Sequence, residues 1–175
     1  MLIVFGGLPA TGKSTLARAL AQERHAVYLR IDTIEQALRS AELMGEDVGP
    51  AGYVIACALA EANLRLGLTV VADAVNPLAL TRNAWRGVAS ATASDLVEIE
   101  VVCSDPAEHR RRVETRAIDV AGLRPPSWQD IIDACARGDY EPWDRPRIVV
   151  DTTHRMPAET LAELYARIDG ESRRR

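Results

Sequence analysis

The sequence predicts an α/β fold, a single domain in which helices connect the strands of a parallel sheet. Three observations lead there. Short apolar runs alternate along the 175 residues with stretches of helical periodicity, the pattern of successive βαβ units. The first apolar run passes at once into a glycine-containing loop and then a helix. The composition, 47% apolar and 26% charged, is that of an ordinary globular chain, long enough to bury a core without disulfide staples.

Leu2–Phe5 is uniformly apolar, as a strand covered on both faces must be, and Gly6-Gly7 ends it. Lys13 to about Glu23 reads as a helix, Val27–Ile31 as the second strand and Thr33–Ser40 as the second helix. Gly45–Gly52 holds three glycines and a proline and reads as a loop. Tyr53–Leu66 is an alanine-rich helix closed by Gly67, and Thr69–Ala72 is the third strand. Asn76-Pro77 predicts an N-cap followed by proline at the first helical position, with the helix running to about Ala89. Leu96–Cys103 is the fourth strand. Asp105-Pro-Ala-Glu108 fits a carboxylate version of the capping box and opens a fifth helix. Ile118 to Pro126 is irregular, Ser127 caps a short helix to Arg137, Ile148–Val150 is the fifth strand and Pro157–Ile168 the last helix. Residues 1–170 form the domain, and 171–175 a frayed tail.

Composition removes several functions. No apolar run reaches the ~18 residues of a membrane span. The start lacks the basic segment of a secretory leader, so a cytoplasmic location is expected. Cys57, Cys103 and Cys135 are odd in number and without CxxC spacing, so they read as small core residues. His25, His109 and His154 are too scattered for a metal cage. A formal charge of −4 argues against nucleic acid as a partner. Among 21 basic residues, 20 are arginine and one, Lys13, is lysine.

Gly7-Leu8-Pro9-Ala10-Thr11-Gly12-Lys13-Ser14, followed by Thr15, matches GxxxxGK[ST]. Glycines allow a tight turn whose N–H groups point inward at phosphate oxygens, and the next helix offers its positive end to the same anion. Lys13 reaches the β- and γ-phosphates as a point charge, and the Ser14 hydroxyl is placed to ligate Mg²⁺. The sole lysine stands at the one position where this loop requires it. Guanine-reading switch proteins need an [NT]KxD element and hence a second lysine, which this chain lacks. The string Asp119-Val-Ala-Gly122 follows no apolar strand and reads as a chance DxxG. Ring-forming ATPases carry an additional helical domain for which the chain is too short. A compact nucleotide-dependent kinase remains.

GLPATGKST, RID at Asp32 after the second strand and VVADAVN at Asp73 after the third resemble the small P-loop kinases, a group with gluconate and adenylylsulfate kinases, chloramphenicol phosphotransferases, zeta toxins and polynucleotide kinases. IDTIEQAL and VDTTH look most like the chloramphenicol phosphotransferase and zeta-toxin side. The resemblance implies a P-loop NTPase fold with strand order 2-3-1-4-5 and helices on both faces, ATP and Mg²⁺ as cosubstrates, and an arginine-bearing lid at about residues 112–127. It implies that Asp32 faces the acceptor hydroxyl and takes its proton, although Asp32 followed by Glu35 also fits a helix cap. It places the pair Arg112 and Arg116 over the transferred phosphoryl group, Arg39 at an anionic acceptor, and Thr152 and Thr153 beside the nucleotide base.

Asp73, ending the third strand at the carboxyl edge of the sheet, is a candidate to hold Mg²⁺ through water or to grip the acceptor, with Asn76 as a second acceptor contact. Tyr140-Glu-Pro-Trp143 reads as a packing segment. The expected activity is transfer of a phosphoryl group from ATP to a hydroxyl of a small molecule. An ATP-hydrolysing regulator and a polynucleotide 5′-hydroxyl kinase stand as alternatives. Neither the acceptor nor the oligomeric state is legible.

Overall fold

A computed structural model describes residues 1–41 and 48–172. Residues 45–47 of the expected Gly45–Gly52 loop and 173–175 of the expected tail lie outside the described residues. In order, the elements are β1 (Leu2–Gly6), α1 (Lys13–Glu23), β2 (Val27–Arg30), α2 (Ile31–Ser40), α3 (Ala51–Arg65), β3 (Val70–Asp73), α4 (Ala79–Ala91), β4 (Leu96–Val102), α5 (Pro106–Thr115), α6 (Trp128–Arg137), β5 (Ile148–Asp151) and α7 (Pro157–Ser172). The strands form one parallel sheet in the order β2-β3-β1-β4-β5, the order the resemblance implies.

β1 is the central strand and every residue in it is buried. Its side chains alternate between two apolar layers. Ile3 and Phe5 join Leu16 and Leu20 of α1 and Leu164 and Ile168 of α7. Leu2 and Val4 join Ala56, Ala60 and Leu64 of α3 and Trp85 and Val88 of α4. The register sets Phe5 and Arg30 each opposite Asp73, so three strand ends present their residues at one edge. This edge is where open α/β sheets bind ligands.

Several boundaries differ from the sequence reading. α2 begins at Ile31, directly from β2, so Asp32 sits in its first turn and is not its cap; the N-cap position is Arg30, which makes no side-chain capping bond. α4 begins at Ala79 rather than after Asn76. Its first N–H is capped by Glu141, whose Oε2 accepts from Ala79 N at 2.5 Å. That partner is 62 residues distant in sequence, so no local window reveals it. Asp105 does cap α5, accepting from the N–H groups of Ala107 and Glu108, but the Glu108 carboxylate holds Arg111 and Arg112 instead of closing the box. The full reciprocal box belongs to α6, between Ser127 and Asp130. α7 extends to Ser172, so the chain at 171–172 is helical rather than frayed. Of the cysteines, Cys103 is buried, Cys57 is half-buried and Cys135 is exposed, so the core reading fails for the last. No helix among the described residues is long and apolar enough to cross a membrane.

Candidate active site

The β1–α1 loop turns through three residues of positive φ: Gly7 at 131°, Ala10 at 63° and Gly12 at 94°. At Gly7 the requirement is also steric, because a Cβ there would lie 2.2 Å from the Val101 carbonyl oxygen. The loop is tied to distant elements. The Gly7 N–H donates to Val75 O at 3.0 Å, and the Thr152 hydroxyl donates to Thr11 O at 2.8 Å. Nε2 of His109, on α5, lies 2.8 Å from Pro9 O; a carbonyl only accepts, so Nε2 carries the proton. His109 is buried and packs edge-on against Trp128 of α6, with ring centres 5.2 Å apart.

This loop forms one wall of a cleft of about 630 Å³ at the carboxyl edge of the sheet. Ala10, Gly12, Lys13, Ser14 and Thr15 line it, together with Asp32, Arg112, Arg116 and Thr152. Lys13 is only 7% exposed, and burial pulls its ammonium below its usual range, with the charges of Asp73 and then Asp32 opposing the drop.

Arg30 organises the acidic side. Its Nη2 donates to Asp32 Oδ2 at 3.2 Å, its Nη1 to both oxygens of Asp119 at 2.9 and 2.8 Å, and its Nε stands 3.8 Å from Asp73 Oδ2. Asp119 also pairs with Arg18 of α1. The Arg30 hydrogen bonds, with Arg18 adding to them, hold the Asp119 carboxyl at about 2. Asp119 is thus no part of a guanine switch, yet it fastens the segment after α5 across the cleft. Gly122 completes that docking, passing so near Gln36 of α2 that a Cβ would come within 2.7 Å of its side-chain amide.

Asp73 is 1% exposed. Its Oδ2 accepts from the Tyr28 hydroxyl at 2.6 Å, while its Oδ1 is buried without a hydrogen-bond partner. Burial, followed by the Asp73 charge and hydrogen bond, pushes the Tyr28 phenol well above its usual range, so it stays an O–H donor.

The two arginines expected in a lid differ. Arg112 is held on Thr152, donating from Nη1 to its Oγ1 and from Nη2 to its carbonyl, both at 2.8 Å, and from Nε to Glu108 Oε1 at 2.9 Å. Arg111 and then Arg112 hold Glu108 at about 2. Arg116, four residues after Arg112, lies past the end of α5 in extended conformation, so the two do not share a helical face. It lines the cleft with its Nε buried and unpartnered, and burial pulls its guanidinium below the usual value against the opposing charge of Asp32.

Other expected residues lie elsewhere. Asn76 has no exposed surface; its Nδ2 donates to Phe5 O at 2.8 Å and its Oδ1 accepts from Trp85 Nε1 at 2.9 Å. It is an interior bridge with no free atom for an acceptor, at a φ of 50° that asparagine tolerates. Thr153 does not line the cleft; its hydroxyl donates to Asp151 Oδ1 at 2.7 Å within the β5–α7 turn. Arg39 pairs with Glu35 along α2, also away from the cleft lining. Trp143 packs beneath the site, its ring flanked by the guanidinium groups of Arg82 and Arg147 and pressed against Gly6, as a packing segment should be. Sequence reading missed Arg30, Asp119, Tyr28 and His109. Only their convergence in space marks them.

Among the described residues no cluster of three or more His, Cys, Asp or Glu could hold a metal ion. Mg²⁺ does not require one, because it keeps waters and phosphate oxygens in its shell and takes one or two protein oxygens. Ser14 lines the cleft, and Asp73, buried and not part of that lining, carries the orphaned Oδ1; together they fit that modest demand.

Fold and loop together define the class, that of the small P-loop kinases in architecture. A family model described as an AAA domain matches residues 2–122, and the chain belongs to that family. A candidate kinase from Chloroflexus aurantiacus superposes with a TM-score of 0.73 at 21% identity, covering 97% of this chain and 96% of the other. A sugar kinase from Janibacter superposes at 0.68 with 16% identity, over 96% and 94% of the two chains. The Mycobacterium tuberculosis APS kinase, in complex with AMPPNP and APS, superposes at 0.63 with 20% identity, over 96% of each. At these identities the likeness is one of fold. No curated protein matches the chain.

Proposed function

We propose that the protein is an ATP- and Mg²⁺-dependent phosphotransferase that moves the γ-phosphoryl group to a hydroxyl of a small molecule. The observation that carries this reading is the opening of the Gly7–Ser14 loop, with its buried Lys13, into the same cleft as Asp32 and the unpartnered Arg116. The loop N–H groups and Lys13 bind the donor phosphates, while Thr152 and Arg112 flank the donor from the β5 side. Asp32, oriented by the hydrogen bond from Arg30, accepts the proton of the attacking hydroxyl. The acceptor oxygen bonds to the γ-phosphorus, the bond from that phosphorus to the bridging β-oxygen breaks, and ADP leaves. Lys13 and Arg116 face the negative charge that spreads over the transferred group. Mg²⁺, held by Ser14 and through water by Asp73, supplies further neutralisation of phosphate charge when bound. Architectural likeness to a sugar kinase and an APS kinase supports the small-molecule acceptor.

The test is an ADP-release screen over antibiotic, sugar, nucleotide-sugar and nucleoside acceptors. Lys13→Ala abolishes acceptor-stimulated release. Asp32→Asn lowers turnover at least roughly a hundredfold with ATP affinity kept. Full activity in either variant refutes the assignment. Absence of stimulation in every class favours a nucleotide-binding regulator, and steeply salt-dependent oligonucleotide binding favours a polynucleotide acceptor.

A further inference from the structure

Tyr28 and Arg30 are two apart on β2, so both side chains project from one face of the strand, and both converge on the same oxygen of Asp73. Among the described residues Tyr28 makes the one short contact, 2.6 Å from Oδ2, while Arg30 Nε stands off at 3.8 Å. The other oxygen, Oδ1, is buried with no partner. An ionised oxygen withdrawn from water without a hydrogen bond is costly and is retained where a partner arrives later. Lys13 is the nearby cation, and Asp73 exerts the largest favourable charge effect on it, yet no salt bridge between them forms. Left to itself, the carboxylate would lower its energy by turning toward Lys13 or closing on Arg30. Either turn would spend the groups the donor phosphates and metal need.

Resting on the phosphotransferase reading, we propose that Tyr28 is a positioning residue: its hydroxyl fixes Asp73 so that the buried Oδ1 stays unpaired until a Mg²⁺-bound water reaches it and Lys13 stays free for phosphate. No proton or bond changes hands at Tyr28. Its part is to set the direction of one carboxylate.

Calorimetric titration with ATP, once in Mg²⁺ and once in EDTA, reads this without any acceptor. In the wild type Mg²⁺ is expected to tighten ATP binding. Tyr28→Phe keeps the ring that packs on the α1–α7 apolar layer, so the fold is retained. The variant is expected to lose roughly tenfold of the Mg²⁺-dependent tightening, the scale of one hydrogen bond to a charged group, while its affinity in EDTA stays within about twofold. In an Asp73→Asn background the same change is expected to add nothing, because Tyr28 acts through Asp73. Equal losses in Mg²⁺ and EDTA overturn the proposal, since a structural role weakens both, and so do additive losses in the double variant. A wild type that binds no ATP in either condition instead overturns the phosphotransferase reading, and this inference with it.

Discussion

Removing the Asp119 carboxylate releases the segment between α5 and α6 from the body of the domain. Beside the close approach of Gly122 to Gln36, the docking of that segment rests on the Asp119 side chain, which accepts two hydrogen bonds from Arg30 at 2.8 and 2.9 Å and pairs with Arg18. The fall of the Asp119 carboxyl from 3.8 to about 2 sets a ceiling of about 2.4 kcal/mol on the favourable interaction. Asp119 is 43% exposed, and solvent screening reduces this to about 1 kcal/mol. In Asp119→Asn, hydrogen exchange of backbone amides 116–123 at neutral pH should accelerate about fivefold, the equivalent of that energy. The pH dependence has a fixed sign. A carboxyl whose pKa falls on folding stabilises while ionised, so the increment is full above about pH 4 and is lost as pH falls toward 2. Because Glu108 and Asp151 also sit at about 2, the quantity to measure is wild-type stability minus variant stability by urea titration. That difference should be about 1 kcal/mol at pH 6 and near zero at pH 2. Unchanged exchange, or a difference that grows on acidification, refutes the reasoning.

Three more outcomes follow from the same structure. Gly7→Ala drives a Cβ into the Val101 carbonyl at a φ of 131°, so it should cost about 2–4 kcal/mol in thermal unfolding and abolish measurable ATP binding. Asn76→Ala strands the buried Trp85 N–H and the Phe5 carbonyl and should cost about 2–4 kcal/mol, lowering Tm, with KM for any acceptor unchanged once folded. His109→Leu removes the donor to Pro9 O and should weaken ATP binding about tenfold, whereas His109→Gln, which can still donate, should recover most of it in the same titration.

Local pattern made much of this protein legible. The five strands, the α1 and α6 boundaries and the start of α5 are visible because apolar runs, a capping aspartate and a capping serine act over three or four residues. The phosphate loop is visible because its backbone path demands particular residues at Gly7 and Gly12. Failures fall where the deciding partner is remote. Asn76-Pro77 has the form of a helix start, but Phe5 and Trp85 claim the Asn76 amide and Glu141 caps α4 two residues later than that start predicts. Arg112 and Arg116 have helical spacing, but α5 ends between them.

The sequence by itself determined the parallel α/β class, the loop that receives phosphate and the single lysine within it, because each of these follows from residue type and short spacing. Tertiary structure alone decided which charges meet at the cleft. Arg30 joins Asp32, Asp73 and Asp119, residues spread over three segments of the chain. Electrostatic and hydrogen-bond energies depend on separations of 3–4 Å through space, and the sheet register that sets Arg30 opposite Asp73 exists only in the folded chain.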